Sequence, residues 1–208
     1  PLGGGFKEID QLDQRPLDLP QDARDTIQHI RAADIELIQL SNLLIDAIRT
    51  GKERYAYAYA DTALAPLTEA VLAAFRDDLQ TKQITLSKTY ALNLPTVSAD
   101  HDRLSSAIHV LVENALHYTP QGGTIQVTVT ADRRKVHFSI RDSGIGISEE
   151  DRKNLFKKFY RGDDARRADT EGVGPGLSMA RDIIPRHGGK IGVESSGAGQ
   201  GSEFWFTL

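Results

Sequence analysis

Between residues 50 and 60 of this 208-residue chain the spacing of apolar residues changes period, and that change divides any fold the chain can adopt. Before it, Ile27, Ile30, Leu37, Leu44 and Ile48 follow three- and four-residue steps, broken by Asp34 and Ser41, as along the seam of a coiled-coil-like helix. Asp22, after Pro16 and Pro20, is placed to cap such a helix and Gly51 to stop it, so the spacing predicts a helix over residues 22–49. Ile35, Ile38 and Ile45 widen the apolar stripe beyond a two-helix seam. A face that broad needs several partners, as in the four-helix arrangement of a homodimer; the alternative is a core helix of one globular domain. Pro1, Leu2, Gly3, Gly4 and Gly5 form helix poorly, each glycine costing about 1 kcal/mol against alanine in a helix interior. They read as a cloning remnant or as the frayed end of something longer.

From about residue 61 helical and strand-like periods alternate, which predicts an α+β domain over residues 61–208 after a helical segment over residues 1–55. Residues 65–79, 100–118 and 177–187 read as helices. Residues 84–87, 124–130 and 135–141 alternate apolar and polar like strands, the last two joined as a hairpin around residues 131–134. A terminal hairpin follows from residues 190–195 and 202–208 through a glycine-rich turn. The expected result is a mixed sheet with helices on one face. At 39% hydrophobic residues the chain can bury a core, and a net charge of −4 gives no basic field for nucleic acid or anionic membrane. The chain has no cysteine, which removes disulfides, thiol nucleophiles and zinc-thiolate sites and fits a cytoplasmic protein, though also a short exported one. No apolar run is long enough for a bilayer, so a membrane anchor, if the parent protein has one, is expected outside this chain.

Four strings carry chemistry. Arg141 to Ile147 ends a strand in Asp142 and follows it with Gly144 and Gly146, a pattern that alone could be a tight turn. Upstream, Glu113 to Pro120 ends a helix with Asn114, His117 and Tyr118. Downstream come Leu155 to Gly162, with two phenylalanines, and then Gly172 to Ser178, three glycines opening another helix.

This ordered set resembles the catalytic domain of sensor histidine kinases, in the ATPase superfamily that also holds gyrase, MutL and a heat-shock chaperone. The strings look like the family's N, G1, F and G2 boxes, and His187 to Lys190 with Gly201 to Phe204 is similar to its last segment. The resemblance covers about residues 25–208. It implies a Bergerat-type fold, a two-layer α/β sandwich with a mixed sheet, preceded by part of a dimerising helical hairpin. It also implies an ATP site with Mg²⁺. Asp142 would accept from the adenine amino group while Gly144, Gly146 and Ile147 let the backbone approach the base. Asn114 would offer a neutral oxygen to Mg²⁺, otherwise held by phosphates and water. His117 and Tyr118 would flank it, Tyr118 as an aromatic wall for the purine. Phe156 and Phe159 would pin a mobile lid over residues 157–173, near Tyr160 and the phosphate-reaching Arg161. Gly172, Val173, Gly174, Gly176 and Leu177 would cradle phosphates at a helix start, and Ser202, in the last segment, would also bind the nucleotide. A hairpin histidine would take the γ-phosphoryl group and a response-regulator aspartate would receive it.

Departures from the family pattern are equally specific. Val110 stands where the family usually carries a second polar residue, commonly asparagine, and valine coordinates nothing. His117 replaces a frequent lysine or arginine, and Pro175 replaces a leucine, removing an N–H from the phosphate loop. Pro185 should end or kink its helix. None of the six histidines has the family's acceptor context, and Pro1-Leu2 could be the tail of that motif. A non-catalytic nucleotide-sensing or dimerisation module and a conformational ATPase are the rival readings.

Overall fold

Alternation along the strands decides where the core lies. A computed structural model describes residues 57–132, 135–157, 160 and 176–208, and the chain divides into Pro1–Ala56 and Tyr57–Leu208. The helix expected over residues 22–49, the hairpin and its dimer contacts lie outside the described residues, as does the turn at residues 133–134. In the second unit the elements run β1 (Tyr59–Thr62), α1 (Leu64–Ala74), α2 (Arg76–Thr81), β2 (Thr85–Tyr90), β3 (Val97–Asp100) and α3 (His101–Tyr118). They continue through β4 (Thr124–Asp132), β5 (Lys135–Asp142), α4 (Glu149–Asn154), α5 (Gly176–Arg186), β6 (Lys190–Glu194) and β7 (Ser202–Thr207).

Five strands form one sheet in the order β2-β4-β5-β7-β6, with β2 and β4 parallel and the other pairs antiparallel, the mixed sheet expected. Ile125, Val127 and Val129 of β4, Val136, Phe138 and Ile140 of β5, and Phe204 and Phe206 of β7 are all buried, every second residue of each strand. Helices α1, α3 and α5 contribute Leu67, Leu104, Ile108, Leu111, Ile183 and Ile184 to the same core. The stacked rings of Phe138 and Phe206, 4.8 Å apart, lie within it. Each such side chain contributes about 1.5–3 kcal/mol by leaving water. β1 and β3 make a separate antiparallel pair.

Local chemistry explains the boundaries. Asp100 caps α3, its carboxylate accepting from the Arg103 N–H at 3.0 Å, and Pro120 follows the helix end. The helix expected over residues 65–79 is two helices. Phe75 breaks it at φ −99° and ψ 9°, turning its ring into the core 4.6 Å from the ring of His109. α5 ends one residue after Pro185, which cannot donate to the turn before it; the N–H of Gly189 then closes on the carbonyl of Ile184 at 3.1 Å. The four-residue strands β1 and β3 and the helix α4 were not expected from the sequence. Among the described residues no helix is long and apolar enough to cross a membrane.

Candidate functional site

Strand register brings Asp142, the last residue of β5, beside Ser202, the first of β7. Asp142 is only 5% exposed. Its Oδ1 accepts from the N–H of Gly144 at 2.8 Å and of Ser202 at 3.3 Å, and its Oδ2 accepts from the Ser202 hydroxyl at 2.5 Å. A carboxylate has about four acceptor sites, so these three bonds leave capacity for one more donor, such as an exocyclic amino group. Burial pushes the carboxyl above the usual aspartate range, opposed by the bonds from Ser202 and Gly144.

The loop after Asp142 is shaped by backbone crowding. A Cβ on Gly144 would lie 2.4 Å from the Tyr118 carbonyl oxygen, so the end of α3 and this loop touch with nothing between. Gly146 has φ +71°, and its Cβ would fall 2.0 Å from the Gly197 carbonyl. At Gly146 the missing side chain makes room for the β6–β7 turn. Gly199 N–H donates to the Ile145 carbonyl at 2.6 Å, Gly201 N–H to the Gly144 carbonyl at 3.1 Å, and Ile147 N–H to the Ser195 hydroxyl at 3.0 Å. Ser195 and Gly197 were not singled out in the sequence, where the glycine-rich turn was the available signal; Gly201 stood there only as the start of the last segment.

Across from this loop, α3 presents Asn114, half-exposed, with no hydrogen bond to its side chain among the described residues. Among the described residues nothing takes up its oxygen. Among the described residues no cluster of three or more His, Asp or Glu side chains is placed to hold a metal. A single neutral oxygen supplemented by phosphates and water suits Mg²⁺, so the residues present fit that ion. Tyr118 is half-buried, with the His117 ring edge-on at 4.8 Å.

Val110 lies one helical turn before Asn114, on the same face, and is buried at 7% exposure. A Cβ on Gly176 would sit 3.0 Å from its Cγ1, so Val110 packs against the first residue of α5. Leu177 is half-buried against the core. Phe156 sets its ring edge-on to Phe204 at 6.5 Å, under the Arg181 guanidinium at 5.8 Å, an anchor at the near end of the expected lid. Tyr160 donates to the buried Asp151 carboxylate of α4 at 2.7 Å. Phe159, Arg161, Gly172, Val173, Gly174, Pro175 and most of the expected lid lie outside the described residues.

The family described as histidine kinase-, DNA gyrase B-, and HSP90-like ATPase matches residues 99–208. The adaptive-response sensory kinase SasA of Rippkaea orientalis is 34% identical over 202 residues, covering 95% of this chain and 51% of that protein. The chain spans about half the length of the curated relatives it matches first. Among solved structures, full-length ShkA in complex with AMPPNP aligns with a TM-score of 0.70 at 26% identity, over 92% of this chain and 40% of that one. Histidine kinase ThkA in complex with response regulator protein TrrA gives 0.69 at 25% identity, over 99% and 57%. Sequence and fold thus agree that the chain belongs to the histidine kinase-, DNA gyrase B- and HSP90-like ATPases, among relatives that are sensor kinases.

Proposed function

We propose that this chain is the ATP-binding catalytic part of a protein-histidine kinase in a two-component system, with residues 1–55 belonging to its dimerising hairpin. The observation that carries this reading is Asp142, a buried carboxylate with three fixed donors and room for one more. An adenine amino group supplies that donor, whereas guanine presents a carbonyl at the corresponding position and repels the carboxylate. Asn114 would hold Mg²⁺ through its oxygen, and the chemistry the ion would supply there is neutralisation of phosphate charge. The N-terminus of α5 would present the positive end of its helix dipole to the phosphates, as helix N-termini do. The chain's own contribution is placement: the γ-phosphoryl group is presented in line to a histidine imidazole of a hairpin, a proximity effect worth up to roughly 7–11 kcal/mol. A response-regulator aspartate then receives it, a reading supported by the kinase–regulator complex among the structural neighbours.

On this reading the chain's own histidines do not serve as acceptors. His101 is exposed beside Asp102, His109 packs on Phe75, His117 on Tyr118, and His187 accepts from the Asp100 N–H at 3.0 Å. His137 sits on the outer side of β5, and His29 lies outside the described residues. Incubating the chain with radiolabelled ATP and Mg²⁺, alone and with a fragment carrying a complete acceptor motif, should label only the added fragment, acid-labile. Label on the chain alone that is lost in His29→Gln would overturn the assignment. One observation favours the second reading, a nucleotide-sensing module without turnover: Val110 is sealed against Gly176 where a polar group would assist the metal. Nucleotide binding with no label on either partner would support it.

A further inference from the structure

The last turn of α3 carries His117 and Tyr118, and its open carbonyls must be held by something. Lys82 holds them. It follows α2, which ends in a reversal: the N–H of Lys82 donates to the Asp78 carbonyl at 3.0 Å, and that of Ile84 reaches back to Leu79 at 2.9 Å. Gln83 between them has φ 55°, the left-handed region that favours glycine, so the surrounding structure imposes the turn. This turn directs the Lys82 side chain at the end of α3. Its Nζ donates to the carbonyls of Leu116 at 2.9 Å, His117 at 3.2 Å and Thr119 at 3.4 Å, so all three ammonium donors meet carbonyls that a helix end leaves free. The Lys82 carbonyl accepts from the Gly122 N–H at 2.9 Å, and Thr85 N–H donates to Gly123 at 2.9 Å, extending the seam. Burial lowers the pKa of Lys82, with Asp78 opposing, as expected of an ammonium partly withdrawn from water.

The one carbonyl in this run that Lys82 does not take is that of Tyr118. It backs onto Gly144, where an added Cβ would lie 2.4 Å away. The Gly144 N–H in turn donates to Asp142 Oδ1 at 2.8 Å. A continuous set of contacts therefore runs from the ammonium, through the 116–119 backbone, to the carboxylate.

We propose that Lys82 is a positioning residue for the nucleotide base: by bridging the carbonyls of Leu116, His117 and Thr119 it sets the Tyr118 peptide against Gly144, and so sets the pocket beside Asp142. The proposal rests on Asp142 being the base-reading group. Lys82 acts through α3 and touches no nucleotide, so its effect belongs to the base and not to the phosphates.

The test uses the full chain, with adenosine and ATP titrated against wild type, Lys82→Met and Lys82→Arg, each well below its own melting temperature. Lys82→Met keeps the aliphatic stem and removes the charged donors; it should weaken adenosine and ATP by the same factor, about tenfold. Lys82→Arg keeps charge and donors and should recover most of the loss. If Lys82→Met does not fold, Lys82→Gln carries the same readout, with a smaller equal loss for both ligands. A variant that melts earlier but binds both ligands as wild type does would reduce Lys82 to a structural residue and sink the proposal. So would loss of ATP binding with adenosine binding intact. Wild type binding ATP and GTP equally would instead fail the reading of Asp142, and the proposal with it.

Discussion

The base end and the phosphate end of this site are built from different materials. At the base end a buried carboxylate is held by two backbone N–H groups and a hydroxyl, and the loop beside it is bonded to the β6–β7 turn. At the phosphate end the start of α5 meets α3 through an apolar contact, Gly176 against Val110. Hydrogen bonds fix direction and leave a defined acceptor, which suits reading one ligand group. Apolar contact fixes distance without direction, and leaves the handling of charge to whatever closes over it. On the proposed reading, base recognition is set in the sheet register before ligand arrives, while among the described residues Asn114 is the side chain assigned to the metal.

The largest expected effect breaks the base end. Asp142→Ala removes the acceptor and leaves both the adenine amino group and the Ser202 hydroxyl without it, so ATP affinity should fall about a hundredfold. Calorimetry with ATP and GTP measures this, and the preference for ATP should vanish with the affinity. Retained preference would move base reading elsewhere in the site.

At the phosphate end, Val110→Asn tests packing against chemistry. An asparagine there meets the start of α5 instead of open solvent, so it should lower stability by about 2 kcal/mol in denaturant melts. It should also increase the gain in ATP affinity on adding Mg²⁺, because a second oxygen then stands one turn from Asn114. Unchanged stability would show that the contact with Gly176 is loose, and the contrast between the two ends would lose its basis.

How much of this was readable beforehand follows the same division. Asp142, Gly144 and Asn114 sit in short contiguous strings on elements with clear periodicity, so both strings and elements were legible, and the mixed sheet with helices on one face followed from alternation in β4, β5 and β7. Val110 was legible only as a missing polar group; its partner, Gly176, belongs to another element, and a packing pair across elements leaves no local trace. Likewise Gly146 shows as a glycine near a ligand, while its crowding by Gly197 depends on where the β6–β7 turn lands. β1 and β3 are four residues each, too short for alternation to register, and the break at Phe75 comes from a tertiary demand, the burial of its ring, over a sequence of helical propensity.

A pH titration sharpens the base end with a smaller effect. The Asp142 pKa is raised by burial, so the carboxylate is protonated at a pH above the ordinary 3.8. Once protonated it accepts less well, and nucleotide affinity should fall by up to about one log unit per pH unit below the folded value. Stability carries the opposite sign. A raised folded pKa means a contribution from Asp142 fully present below 3.8 and lost as pH rises through the raised value. Acidification therefore favours folding through this group while it weakens binding. An affinity flat in pH through the mildly acidic range, down to ordinary aspartate titration, would remove the carboxylate from base recognition.

The smallest expected effect probes whether the two ends are independent, at a place remote from both. The far end of α5 is fixed to the start of the described unit: the Tyr59 hydroxyl donates to the Arg186 carbonyl at 2.6 Å, and the Tyr59 ring stands edge-on to His187 at 5.4 Å. His187 accepts from the Asp100 N–H through Nε2, so its Nδ1 carries the proton and donates to the Ile183 carbonyl at 2.9 Å. This cluster holds the C-terminal end of α5 to the cap of α3, while Gly176, at the other end, meets Val110. Tyr59→Phe removes one hydrogen bond and keeps the ring contacts with Tyr57 and His187. Tyr59 is 49% exposed and water can replace its partner, so the cost should be about 0.5 kcal/mol, or about 2 °C in melting temperature. Because α5 is a helix packed along its length on the core, so small a loss at one end should not move the other, and ATP and adenosine affinities should stay within about twofold of wild type. If ATP binding weakens further than that while adenosine binding holds, α5 transmits the state of its far end to the phosphates. The phosphate end would then be set from the segment that enters the domain at Tyr57, and the base end would remain the only part of the site fixed by the sheet alone.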